Sequence, residues 1–151
     1  SDDPRGAELP RSVEIMMSYR IDEIEGIGPV YREKLSAAEI KTTDDLLNQC
    51  ATAPGRKQTA ASTGCTDKQL LEWANMADLM RIKGVGPEYA ELLEASGVDT
   101  VKELRHRRAD NLAAKMAELN QTKKLTRQVP SESIVAGWIE QSKTLDPCIS
   151  H

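Results

Sequence analysis

Ile24-Glu-Gly-Ile-Gly-Pro-Val-Tyr-Arg-Glu-Lys-Leu35 returns 58 positions later as Ile82-Lys-Gly-Val-Gly-Pro-Glu-Tyr-Ala-Glu-Leu-Leu93. The Ile, both Gly, the Pro, Tyr, Glu and final Leu coincide, and weaker matches continue through Ala37/Ala95, Ile40/Val98, Thr42/Thr100 and Leu46/Leu104. Self-similarity at a fixed offset is the mark of a duplicated structural unit. A fainter echo pairs Thr66-Asp-Lys-Gln-Leu-Leu-Glu-Trp73 with Ser131-Glu-Ser-Ile-Val-Ala-Gly-Trp138 at an offset of 65, so the second copy carries about seven extra residues. The repeats therefore run from Ile24 to Met80 and from Ile82 to Leu145. The corresponding division of the chain is a flexible leader or expression remnant over 1–16, a first unit over 17–80, a second over 81–146 and a loose tail over 147–151.

The punctuation of both repeats is helical. Pro29 and Pro87 follow Gly-x-Gly directly, where a first-turn proline forfeits no hydrogen bond and pre-sets φ for the helix. Gly97 is placed to end the helix after Pro87 as a left-handed cap, while the first copy has Glu39 there and is expected to end less cleanly. Thr66-Asp-Lys-Gln69 and Thr100-Val-Lys-Glu103 read as capping boxes. Leu70, Trp73, Ala74, Ala77 and Met80 follow the stripe of one buried helix face. Asp110 to Leu119 and Ser131 to Leu145 supply two more helices. No stretch sustains period-two alternation, so the expected fold is all-α, two units packed into one compact helical domain.

Composition narrows the function classes. The 151 residues are 39% apolar and 3% aromatic, enough for one core and too few for a large enzyme scaffold. No apolar run approaches the length of a membrane span and no signal peptide is legible at the N-terminus, so the expected location is cytoplasmic, with no membrane partner. Cys50, Cys65 and Cys148, with His106 and His151, are spaced for neither a disulfide framework nor a zinc site. No cofactor, metal or catalytic residue is expected; acids such as Asp44 and Asp45 suit a helix N-terminus better than a metal-assisted nuclease.

A short helix, then apolar-x-Gly-apolar-Gly-Pro, then a second helix resembles the helix-hairpin-helix motif of DNA-repair and replication proteins. The residues that carry the likeness are Ile24 to Leu35 and Ile82 to Leu93. From Tyr19 to Trp138 the chain resembles a widespread bacterial family of tandem helix-hairpin-helix proteins labelled a domain of unknown function. That resemblance implies the fold and leaves the activity open.

The chemistry of such a turn follows from its residues. Gly26, Gly28, Gly84 and Gly86 allow positive φ and a close backbone approach, and the helix starting behind each turn directs unpaired N–H groups and a positive dipole end outward. A phosphate oxygen suits that geometry, in contacts that read no base. Arg81 and Lys83 flank the second turn and favour it. Glu25 and Glu88 oppose phosphate, and Arg32 stands in the first copy where the second has the small Ala90. Eight basic residues against three acidic ones between Lys102 and Arg127 could add phosphate contacts.

The candidate contacts are Arg81, Lys83, Gly84, Val85 and Gly86 at the second turn, Gly26, Ile27, Gly28 and Arg32 at the first, and Lys102, Arg105, Arg107, Arg108, Lys123, Lys124 and Arg127 in the basic run. Against this, the net charge is −4 overall, with residues 1–80 carrying 9 Lys/Arg against 14 Asp/Glu. In the competing reading the hairpins are packing units, Ile27 and Val85 plug the core, Tyr31, Tyr89, Trp73 and Trp138 line it, and the partner is another protein. The expectation is a non-enzymatic module gripping duplex DNA weakly by its backbone phosphates, or a protein-interaction scaffold, as a monomer or weak dimer.

Overall fold

A computed structural model describes residues 18–150 and places eight α-helices there with no β-strand. The leader over 1–16 and the start of the first unit at Met17 lie outside the described residues. A 3-10 turn at Ile21–Glu23 precedes α1 (Pro29–Ala37), α2 (Thr43–Cys50), α3 (Ala53–Thr63) and α4 (Asp67–Leu79). Then come α5 (Pro87–Ala95), α6 (Val101–Leu104), α7 (Ala109–Lys123) and α8 (Glu132–Thr144). Within the first half α2 packs on α4 and α3, within the second α7 packs on α8 and α5, and α4 meets α5 across the middle. One apolar cluster runs through all of it, from Ile21 to Ile139.

The two quoted stretches fold alike, bond for bond. Ile27 N–H donates to the Ile24 carbonyl at 3.1 Å and Val85 N–H to the Ile82 carbonyl at 3.0 Å. Arg32 N–H reaches Gly28 at 2.8 Å and Ala90 N–H reaches Gly86 at 2.9 Å, which starts each helix. At the far end Ile40 N–H returns to Leu35, and Val98 N–H to Leu93, both at 2.9 Å. Gly97 holds φ +95°, and Glu39 is driven to φ +67° in the same place. The first helix thus ends as sharply as the second, contrary to the expectation from Glu39, because Ile40 must still enter the core, where it is fully buried.

Capping follows the sequence closely. Thr66 Oγ1 accepts from Gln69 N–H at 3.0 Å and Gln69 Oε1 accepts from Thr66 N–H at 3.0 Å, the reciprocal box. Thr42 and Asp45 form a second box that the sequence reading passed over. Thr100 caps only one way, accepting from Glu103 N–H at 3.2 Å, since the Glu103 carboxylate lies 3.7 Å from Arg107 instead. Helix α3 lacks an apolar period; its buried residues are Arg56, Thr59 and Thr63. At its start a Cβ on Gly55 would stand 2.2 Å from the Gln49 carbonyl oxygen, so only glycine fits.

Helix α4 is buried on more than its predicted stripe: Asn75, Met76, Asp78 and Leu79 are covered too, since α2 and α3 flank it on one side and α5 on another. Asp78, 1% exposed, binds three elements together. Its Oδ1 accepts from Arg81 Nη1 at 2.7 Å and from the Cys148 thiol at 3.2 Å, and its Oδ2 accepts from Val101 N–H at 2.8 Å. Burial, then the Asp78 carboxylate, pushes the Cys148 thiol up to about 12, so the thiol stays a donor at neutral pH.

The expected loose tail is therefore tied down. Arg81 Nη1 also donates to the Asp146 carbonyl at 3.0 Å. Arg56 Nη2 holds the Ser150 carbonyl at 2.6 Å, and Ser150 N–H donates to Ala51 at 2.8 Å. Cys50 and Cys65 are small core residues, with burial raising the Cys50 thiol.

Candidate functional site

The second turn sits at the surface on a buried plug. Val85 is fully buried, whereas Lys83 and Gly84 are exposed. Gly84 holds φ +95°, and a Cβ there would lie 3.3 Å from Trp138 Nε1, so both conformation and packing call for glycine. Trp138 in turn meets Tyr89 with ring centroids 5.3 Å apart. Gly86 is the N-cap of α5 without any side-chain cap, which leaves the N–H groups of the first helical turn for solvent or a ligand. Gln141 brackets the turn: its Oε1 accepts from Lys83 N–H at 3.0 Å and its Nε2 donates to the Lys83 carbonyl at 3.3 Å. That fixes the Lys83 backbone and leaves its ammonium in solvent. Gln141 carries no sequence signal, because Met76 stands at the corresponding place in the first repeat.

Beside this turn runs an open groove of about 800 Å³, with Glu88 and Tyr89 on one wall and Lys124 to Gln128 on the other. Tyr89 Oη joins the walls by donating to the Gln128 carbonyl at 3.2 Å. Lys124 caps α7 in the left-handed region at φ +51°, a conformation where glycine or asparagine is usual. The groove thus brings Lys124 and Arg127 to the start of α5, a proximity that sequence distance concealed.

The basic run does not form one stripe. Helix α7, of 15 residues, separates its two ends by about 22 Å. Lys102, Arg105, Arg107 and Arg108 belong to the end away from the groove, and most are engaged. Arg105 Nη2 donates to the carbonyls of Ser142 at 3.0 Å and Leu145 at 2.7 Å. Arg107 holds the carbonyls of Ser96 and Gly97, both at 3.3 Å. Arg108 pairs with Asp110 at 2.9 Å, and that hydrogen bond lowers the Asp110 carboxyl below its ordinary range. Lys102 is exposed without an ion pair among the described residues. Arg81 is spent on Asp78, Asp146 and Cys148, so Lys83, Lys124 and Arg127 are exposed cations at the second turn and its groove, while the exposed Lys123 acts on Glu91.

The first turn repeats the backbone with different surroundings. Gly26 holds φ +97° with its Cβ position 3.4 Å from Trp73 Nε1, and Tyr31 meets Trp73 at 5.2 Å between centroids. Gly28 caps α1 without a side chain, as Gly86 caps α5. Ile27 is 3% exposed, so Ile27 and Val85 enter the core and spend their N–H groups inside the turn, leaving neither a group for a ligand. Arg32 leans to Asp22 at 3.5 Å. Around the turn stand Glu25 and Glu72, with Glu91 and Glu94 from α5. Burial, followed by Glu25, Glu94 and Glu88, raises Glu91, and burial, then Glu72 and Asp99, raises Glu94. This acidic wall, which the sequence reading missed beyond Glu25, repels phosphate.

Among the described residues no group of His, Cys, Asp and Glu is arranged to hold a metal ion, and no helix is long and apolar enough to cross a membrane. Comparisons with curated proteins and with solved structures gave no match. The model of one family does match, over residues 25–145, from the first turn to the end of α8. By that match the chain belongs to the family described as Domain of unknown function (DUF4332).

Proposed function

We propose that this protein is a non-enzymatic module of two helix-hairpin-helix units that binds nucleic-acid backbone weakly and without regard to sequence, through the second turn alone. The observation that carries the reading is the meeting of the exposed Lys83 and Gly84 at the turn, an uncapped helix start and the groove cations Lys124 and Arg127. Amide donors and the dipole end of α5 suit a phosphate oxygen, and Lys83, Lys124 and Arg127 supply charge at the range where backbone binding is electrostatic. Glu88 on the groove wall weakens the site, which fits modest affinity and the net charge of −4.

Titration of a labelled duplex by fluorescence anisotropy, at low and near-physiological salt, tests this. Binding in the micromolar range should fall as salt rises, and Lys83→Glu should weaken it about tenfold for every duplex sequence alike, with a shallower salt dependence. No binding at low salt, or an isotherm unchanged in Lys83→Glu, removes the second turn as a phosphate site. The competing reading, a protein-interaction scaffold with structural hairpins, draws on the first turn, whose glutamate surroundings suit a different ligand.

A further inference from the structure

The two halves join their last two helices differently. Helix α3 passes to α4 through Gly64, Cys65 and Thr66, whereas α7 passes to α8 through the longer stretch from Lys124 to Ser131. Most of that stretch is one wall of the groove beside the second turn, and the first half lacks the chain to build such a wall. Asn120 ties the wall down: its Oδ1 accepts from Leu125 N–H at 2.8 Å and from Thr126 N–H at 3.0 Å, and its Nδ2 donates to the Thr126 carbonyl at 2.9 Å. Thr126 Oγ1 donates to the Gln128 carbonyl at 2.7 Å, the same oxygen that Tyr89 Oη reaches. The backbone of the wall is thus fixed from within, and Lys124, Arg127 and Val129 are left exposed. Neither cation has an ion pair among the described residues.

Apolar surface accompanies this charge. Val129 is 39% and Ile134 51% exposed, and the other large hydrophobic so exposed among the described residues is Val30 on α1. An exposed aliphatic residue standing alone means little, but these two flank the Ser131 cap of α8 at the edge of one groove. Val129 follows directly on Gln128 of the wall. Ile134 takes the place of Gln69, which lies 2.9 Å from the Tyr31 hydroxyl in the first half, and so comes to the hydroxyl end of Tyr89. Lys83, Lys124 and Arg127 provide for phosphates, and Val129, Ile134 and Tyr89 provide for a flat apolar group beside them. A duplex hides its base faces by stacking and offers phosphate and sugar, which leaves the apolar edge of the groove unused. An unpaired strand brings phosphates and bare base faces together. We propose that the groove at the second turn takes an unpaired strand of nucleic acid, with phosphates along Lys83, Lys124 and Arg127 and a base against Val129 and Ile134. This rests on the backbone-binding reading above and narrows its substrate class to single strands.

The test is anisotropy titration of a labelled oligothymidylate, alone and paired with oligodeoxyadenylate, with oligouridylate as the RNA counterpart. The unpaired strands should bind about fivefold more tightly than the duplex, and the DNA and RNA strands should bind alike, since the contacts are to phosphate and base face. Val129→Ser combined with Ile134→Ser should weaken single-strand binding about fivefold and leave duplex binding within about twofold, which removes the preference. Both positions are exposed, so circular-dichroism melting should be unchanged. Val30→Ser removes exposed apolar surface elsewhere and should alter neither affinity. Arg127→Ala should weaken the strand and make its salt dependence shallower. Salt-dependent binding of strand and duplex alike, unmoved by the Val129 and Ile134 changes, would overturn the single-strand inference and leave the backbone-binding reading standing. Absence of binding to either at low salt would overturn both. Tighter binding of an alternating leucine–glutamate peptide than of oligothymidylate would make the groove a protein surface and overturn the proposal.

Discussion

The two turns have one backbone and opposite surroundings. At each, a glycine near φ +95° lies against an indole nitrogen, a proline opens the next helix, and a tyrosine meets the tryptophan edge to face or tilted. Yet Glu25, Gln69, Glu72 and Met76 about the first turn correspond to Lys83, Ile134, Gly137 and Gln141 about the second. Glycines and proline are thus required by the way Ile27 and Val85 plug the core, whether or not anything binds. The different surfaces come from one residue in the turn, three on the tryptophan-bearing helix and, at the first turn, Glu91 and Glu94 of α5. The same geometry presents a carboxylate-rimmed pocket in one half and an ammonium beside open amides in the other.

The halves also differ in how α2 and α6 are anchored at their first residues, and this difference carries the largest expected effect. Thr43 N–H is held by the Tyr19 carbonyl at 2.8 Å, backbone to backbone. Its counterpart Val101 N–H is held at 2.8 Å by the buried carboxylate of Asp78. Asp78→Ala leaves Val101 N–H and the Cys148 thiol without their acceptor and Arg81 without its carboxylate, and should cost about 3 kcal/mol or more in urea unfolding. Asp78→Asn keeps one acceptor and should cost less. Equal stability of Asp78→Ala and the parent would show that the second half does not depend on this side chain.

Replacing the first glycine of each turn measures whether the backbones are equivalent. Gly26→Ala and Gly84→Ala each force alanine to a positive φ and set a methyl group 3.4 or 3.3 Å from an indole nitrogen. Each should lose about 1–2 kcal/mol of stability. The two losses should agree closely despite the opposite charge around the turns. A large inequality would mean that the surroundings, and not the core, hold the turn.

Much of this was legible in the residues. The internal repeat, the Pro-initiated helices, the Thr66 cap and the paired tryptophans all follow from local chemistry, and α8 ends within a residue of its expected boundaries. Helix α3 was hidden because its buried side is Arg56, Thr59 and Thr63, whose burial depends on neighbours such as the Ser150 carbonyl, 94 positions away. The basic run read as one feature, because a linear count of charge ignores the helix that separates its ends. The acidic pocket draws on Glu25, Glu72, Glu91 and Glu94, two of them outside either copy of the motif and two on a helix of the other repeat. Only packing of α4 against α5 brings them together.

The smallest expected effect is the one that separates the two sites by pH. Glu94 is raised above its ordinary value of 4.5, first by burial and then by Glu72 and Asp99, so the folded protein holds this proton more tightly than the unfolded chain does. A carboxyl shifted upward makes the fold less stable once ionised. The penalty is complete above the folded pKa, shrinks as pH falls through it, and vanishes below about 4.5 where both states are protonated. Glu94→Gln should therefore stabilise the protein at pH 7 by a fraction of a kcal/mol, allowing for solvent screening at this partly exposed site. The difference between the two melting curves should close by pH 4. Duplex binding at Lys83 should not follow the Glu94 charge over the same acid range. A Glu94→Gln protein equally stable at pH 7 and pH 4 relative to the parent would mean that neither burial nor the neighbouring acids penalise the Glu94 charge.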